Sequence, residues 1–255
     1  MENALRKRLE ILKSRAREIR RLYLARHGLP LSGEPGIPIP LVEAARGEEI
    51  LAGSLPLYLI RTAAEDVVPD FAALVSSFSE DTCFFDIETT GLTPSTYVFL
   101  CGMMSPREGR FVIEQAFARD YSEEAGMLRY VRDALGRFRC VVTYNGTTFD
   151  LPFVKARMAV ARIDYDSPRD HVDLLLPARQ RYRGVLPDCR LETIERHLRG
   201  VSREGDIPGS EIPDAYHEFV RTGDARKIKR ILHHNRVDLL AMVGLFDCLV
   251  TRQAR

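Results

Sequence analysis

No stretch of the 255-residue sequence approaches the roughly 18 consecutive apolar residues that a membrane-spanning helix requires, so no transmembrane segment is expected. The first residues are too polar for a signal sequence. The five cysteines (Cys83, Cys101, Cys140, Cys189 and Cys248) contain no CxxC pair and no zinc-finger spacing. Such an odd, dispersed set points to reduced thiols and a cytoplasmic location. There is no low-complexity tract and no internal repeat. The formal net charge is only +1, so bulk charge does not announce a nucleic-acid binder.

What is present is the composition of an ordinary globular chain, 45% hydrophobic and 29% charged, long enough to bury a sizeable core. Charge is uneven along it. Leu5 to Arg26 carries nine Lys or Arg against two acids, and Arg179 to Arg203 and Arg221 to Arg236 are also rich in arginine. A nuclease that grips phosphates with basic patches around an acidic centre has this mixture, although each patch alone is equally a solvated helix face.

Leu5, Leu9, Leu12, Ala16, Ile19 and Tyr23 recur at steps of four and three, which predicts an amphipathic basic helix. The Pro/Gly-rich stretch Gly28 to Pro40 ends it, so residues 1–40 are expected to form a helical extension with a linker. The helix would dock on the body of the protein or meet a protein partner. Residues 41–81 read as a lead-in that packs on the core, with a β-leaning run LPLYLIRT and a short helix over Asp70 to Phe78. From residue 82 to 255 a catalytic domain is expected. CFFDIE, YVFLCGMM and GRFVIEQAF predict an antiparallel meander, followed by a helix over Ser122 to Leu135, a buried strand CVVTY and a helix from about Phe149. From Val172 the pattern is helical, ending in a long helix from about Ala225 to Val250. This order argues for an α/β fold with a mixed sheet covered by helices.

Three segments carry the chemistry. In Phe85-Asp86-Ile87-Glu88-Thr89-Thr90-Gly91-Leu92 the two acids are two apart on a strand and share a face. A divalent cation would relieve their repulsion, since Mg²⁺ favours carboxylate and water oxygens. In Tyr144-Asn145-Gly146-Thr147-Thr148-Phe149-Asp150 the chain leaves a buried strand through a polar turn, and Asp150 opens a helix. Asn145 can hydrogen-bond backbone or substrate, and Phe149 can stack on a base. In His233-His234-Asn235-Arg236-Val237-Asp238, His234 and Asp238 are four apart on one helical face, so a histidine able to act as general base lies one turn from an acid. Each segment alone has a bland reading: a solvated strand end, a helix-start acid or a structural histidine. The conjunction and the order are what discriminate.

Together these residues resemble the DEDD, or DnaQ-like, exonucleases of the ribonuclease-H-like superfamily. FDIETTGL resembles the first motif, YNGTTFDLPF the second in the form seen in proofreading domains of family B DNA polymerases, and HHNRVD stands in the place of the third. More narrowly, HVDLLLPAR, CRLETIE, GDIPGSEIPDAY and HHNRVDLLAM resemble the YprB-type ribonuclease-H-like domain of bacteria, over roughly Thr82 to Val250. The resemblance implies a five-stranded mixed sheet in order 3-2-1-4-5, flanked by helices. It also implies 3′→5′ hydrolysis of a single-stranded nucleic-acid end with two Mg²⁺ or Mn²⁺ ions held by Asp86, Glu88, Asp150 and Asp238. Thr89 and Leu92, in the first motif, join Asn145 and Phe149 as candidate substrate contacts. One branch of the family has a histidine where His233 stands, the other a tyrosine where His234 stands. His234 is favoured because ARKIKRIL contains no Gly or Pro, and an unbroken helix stacks His234 beside Asp238 while His233 is turned away. Asp173 matches a further acid near such sites, or else caps the helix that follows it. A structure-selective endonuclease and a non-catalytic binding module on the same scaffold are the rival readings, and DNA against RNA is left open.

Overall fold

The hydrophobic run that carries the first acidic pair forms an interior strand of the sheet. The computed structural model describes residues 41–64, 74–200, 203 and 205–250. The expected helix over Leu5 to Tyr23, the linker to Pro40 and the first part of the short helix at Asp70 to Phe78 lie outside the described residues. The strands are β1 (Glu48–Ala52), β2 (Leu55–Ala63), β3 (Thr82–Thr89), β4 (Val98–Arg107), β5 (Arg110–Phe117), β6 (Cys140–Thr143) and β7 (Asp170–Asp173). The helices are α1 (Leu41–Ala44), α2 (Glu124–Leu135), α3 (Asp150–Val160), α4 (Leu175–Tyr182), α5 (Leu191–Arg199), α6 (Ile212–Thr222) and α7 (Arg226–Val250).

The sheet runs β1-β2-β5-β4-β3-β6-β7. Strands β3, β4 and β5 form the antiparallel meander, and β6 and β7 add to β3 in parallel. The five strands from β3 onward, β5-β4-β3-β6-β7 across the sheet, therefore keep the order 3-2-1-4-5. The sheet has seven strands rather than the expected five, because the hairpin β1-β2 adds its second strand to β5. LPLYLIRT thus lies within the sheet. Strand β5 is buried along nearly its whole length, and a buried strand left as an edge would expose unpaired backbone groups beside apolar side chains. The second departure is β7, the segment DHVD, where a helical pattern was expected to begin at Val172. It is four residues long, pairs only with β6 and is half-exposed, so it has neither the length nor the apolar content of a strand signal.

Alternation along β3 divides the core. Cys83, Phe85 and Ile87 face Met127, Leu128 and Val131 of α2 and Phe153 and Val154 of α3. Phe84 turns the other way and packs with Met104, Ile113 and Leu239, Leu240 and Val243 of α7. Asp86 and Glu88 continue that second side, so they point toward the last helix. No helix among the described residues is long and apolar enough to cross a membrane.

One buried ion pair fixes the loop after β3. Arg157 on α3 reaches Glu124 on α2 with Nε 2.9 Å from Oε1 and Nη2 2.5 Å from Oε2. Glu124 Oε1 also accepts from the backbone N–H of Val98, while Arg157 donates to the carbonyl of Pro94 and lies over the ring of Tyr97 at 4.8 Å. Removing one member leaves the other charge buried and unpaired. Arg157→Met should destabilise the fold by about 3–5 kcal/mol, and adding Glu124→Gln should recover part of that. Urea unfolding of the three proteins checks this, and a loss below about 1 kcal/mol in the single variant contradicts it.

Candidate active site

Strands β3 and β6 pair in parallel only as far as Phe84 and Val142, and beyond that point they part. Ligands in open α/β sheets enter at such a crevice, outside the carboxyl ends of parallel strands. The chain after β6 turns back into it. Asn145 sits at φ +67°, a conformation that asparagine tolerates better than most residues, and its Oδ1 accepts from Thr148 Oγ1 at 2.7 Å. Gly146 is required by space, since a Cβ there would lie 2.3 Å from Thr143 Oγ1. Asp173 at the end of β7 clamps the turn: its Oδ1 accepts from the N–H of Asn145 and of Leu175, its Oδ2 from the N–H of Thr147. Asp173 is thus both the clamp of this turn and the cap of α4. Burial would raise its pKa, but the backbone donors outweigh it and hold the carboxyl below the ordinary value.

The turn delivers Asp150 to the first turn of α3, where its Oδ1 accepts from the backbone N–H of Ile87 on β3 at 3.2 Å. Asp238 comes from α7, which runs unbroken from Arg226 to Val250. One turn earlier His234 places Nε2 3.4 Å from Asp238 Oδ2 and Nδ1 2.8 Å from Asp206 Oδ2. The side chain of His233, about 100° round the helix from His234, has no hydrogen bond or ion pair among the described residues.

Asp86, Glu88, Asp150 and Asp238 therefore gather from three elements. Burial is the largest influence on the first three, and it raises the pKa of each. Mutual repulsion adds to it: Asp238, Glu88 and Asp150 raise Asp86, while Asp238, Asp150 and Asp206 raise Glu88. Asp150 is pushed up to about 7. Burial would lower His234, but the Asp206 carboxylate and the neighbouring acids hold it above its ordinary value.

Two residues at this centre carry no sequence signal of their own. Asp206 lies in the GDIPGSEIPDAY segment, 28 positions before the histidine it holds. Arg203 places Nη1 2.6 Å from Asp238 Oδ1 and Nε 2.7 Å from Glu195 Oε2. The chemistry of the set fits hard divalent cations: carboxylate oxygens of one sign, buried at Glu88 and Asp150 and half-buried at Asp86 and Asp238, with Glu88 accepting from no donor among the described residues. As the side chains stand, no three His, Cys, Asp or Glu among the described residues form a ready-made ligand set. Arg203 is the counter-ion of Asp238.

The candidate substrate contacts divide. Leu92 is 86% exposed at the tip of the loop held by Arg157. Phe149 is half-buried against Phe153, with ring centroids 5.4 Å apart. The Thr89 hydroxyl is committed to the carbonyl of Gly91 at 2.7 Å, and Asn145 is engaged in its own turn.

A family model for the RNase_H superfamily matches residues 83–250. YprB, an uncharacterized protein of Bacillus subtilis (strain 168), is 31% identical over 167 residues, covering 64% of this chain and 40% of that protein. Among solved structures, the family B DNA polymerase of the hyperthermophilic archaeon Pyrobaculum calidifontis superposes with a TM-score of 0.54 at 16% identity, over 81% of this chain and 28% of the polymerase. This second likeness is one of fold. The chain spans less than half the length of either protein.

The raised acids have a consequence for stability without metal. Between its ordinary pKa, near 4, and the folded value of about 7, Asp150 binds more protons in the folded than in the unfolded protein. Stability from this group is thus full at low pH and is lost as pH rises through that window. The thermal midpoint of the metal-free protein should fall between about pH 5 and about pH 7.5, and Asp150→Asn should flatten the fall. Equal slopes for the two proteins, read by circular dichroism melts, would contradict the assignment.

Proposed function

Because the chain belongs to the RNase_H superfamily, we propose that it is a metal-dependent 3′→5′ exonuclease that hydrolyses phosphodiester bonds of single-stranded DNA or RNA. The observation that supports this reading is the nearness of four acids: Asp150 accepts from the backbone N–H of Ile87, between Asp86 and Glu88, Asp238 raises the pKa of all three, and His234 lies 3.4 Å from Asp238. These four would hold Mg²⁺ or Mn²⁺, two ions in the scheme of DEDD exonucleases. Such ions lower the pKa of bound water and neutralise charge on a phosphate.

The chain's own groups do the rest. Asp206 takes the Nδ1 side of His234 and so directs Nε2 toward Asp238, where it can accept or orient the proton of an attacking water. Leu92, exposed, and Phe149, half-buried beside Asp150 in the chain, would offer apolar contacts to a terminal base. Helix α4 begins two residues after Asp173 and exposes Leu176 and Arg179, and Arg183 is exposed just past its last residue. Neither arginine has an ion pair among the described residues, so both can meet the phosphates of a strand leaving the crevice. All five cysteines are free thiols, which suits the reducing cytoplasm in which we place the reaction.

Digestion of 5′-labelled single-stranded DNA and RNA with Mn²⁺ tests the reading. Products should shorten from the 3′ end in single-nucleotide steps, and Asp86→Asn or Asp150→Asn should each slow the reaction by about a thousandfold or more. Internal cuts at junctions of a structured substrate would favour an endonuclease, and tight binding without cleavage a binding module.

The two histidines supply a sharper comparison on the same substrates. His234→Ala should cost about a hundredfold in kcat, His233→Ala less than about tenfold. A reversal of the two would remove His234 from its role.

A further inference from the structure

Asp86 does not stand alone on its strand. Across the sheet, Asp86 on β3 faces Gly102 on β4, and Gly102 faces Gln115 on β5, so the three lie in one row on the side that α7 covers. Asn235 of α7 is fully buried and lies over the middle of that row. It sits where a side chain at position 102 would be, since a Cβ there would come within 2.2 Å of Asn235 Oδ1. Gly102 has no unusual backbone angle, so what it contributes is room.

The hydrogen bonds run one way along this row. Gln115 Nε2 donates to the carbonyl of Leu232 at 2.9 Å and to Asn235 Oδ1 at 2.8 Å. A carbonyl only accepts, so the Leu232 contact identifies the Gln115 nitrogen, which in turn identifies the Asn235 oxygen. The other end of Asn235 is therefore the amide nitrogen, and it donates to Asp86 Oδ2 at 2.8 Å. No described residue donates to Asp86 Oδ1. The arrangement has a cost, because Gln115 Oε1 is buried without a partner. A partly satisfied polar network in a core is worse for stability than apolar packing, so stability does not account for it.

Resting on the cation-binding role of Asp86 given above, we propose that Gln115 and Asn235 form a positioning relay that orients Asp86 so that Oδ1 faces the metal. Asn235 is a positioning residue: it touches neither substrate nor ion and acts through Asp86. Outer partners of this kind hold a ligand in its productive rotamer, and their loss weakens metal affinity by about 10–100-fold.

The test is calorimetric titration of the full chain with Mn²⁺ alone, without nucleic acid, on wild type, Asn235→Ala, Gly102→Ala and Asp86→Asn. Gly102→Ala retains Asn235 and displaces it, so the relay requires both substitutions to weaken Mn²⁺ binding by about 10–100-fold. It further requires kcat on a single-stranded substrate to fall while KM stays within about twofold. Wild-type Mn²⁺ affinity in either folded variant, while Asp86→Asn binds weakly, overturns the relay and leaves the metal site standing. Wild-type affinity in Asp86→Asn overturns the metal site itself, and the relay with it.

Discussion

Like charges held together out of water are the constraint on which this structure turns. Asp86, Glu88 and Asp150 each have their pKa raised first by burial and then by other acids, and Asp238 adds to the repulsion from α7. Left to itself such a set would open or take up protons. The surrounding chain opposes both. Arg203 lies on Asp238, the backbone of Ile87 donates to Asp150, and Asn235 donates to Asp86. Each is a single directed contact from a different element. The sheet and its covering helices therefore act as a frame that holds charge where charge is unfavourable, which is the condition under which a cation gains most from binding.

The local irregularities of the fold follow from that frame. Gly102 and Gly146 are glycines for space, one to admit Asn235 and the other to let the turn after β6 close on Thr143. Asn145 adopts its positive φ in the same turn, and Asp173 binds that turn from the neighbouring strand. The register shift between Glu88 and Thr89 ends regular pairing of β3 with β4 just after the second acid. Bulges of this kind bend a strand and re-aim its side chains. The buried pair of Arg157 and Glu124 then holds the loop that carries Leu92.

Much of this is legible in the sequence because the signals are local. Two acids two apart on an apolar strand, a polar turn into a helix and a histidine one turn from an acid are short-range patterns, and the structure brings their acids and His234 to one place. The meander and the long last helix have strong periodicity and appear where the sequence puts them. Strand β7 is not legible because four half-exposed residues, two of them aspartates, derive their conformation from β6 rather than from their own composition. The hairpin β1-β2 can be read as strand, but its partner β5 lies some fifty positions away and no local pattern names it. The same holds for Asp206, Arg203 and the Gln115–Asn235 pair, whose partners are set by tertiary contact alone. Asp173 has two readings from sequence, and the turn it clamps and the helix it caps become visible only once β7 lies beside β6.

Charge is the economy of this site, and the place where a cation settles is its most direct observable. Anomalous diffraction from crystals soaked in Mn²⁺ locates the metal without reference to activity. The account predicts manganese among the carboxylates of Asp86, Glu88, Asp150 and Asp238, with the Arg203 guanidinium withdrawn from Asp238. Crystals that take up manganese elsewhere, or none at all, with Arg203 still paired to Asp238, would contradict it.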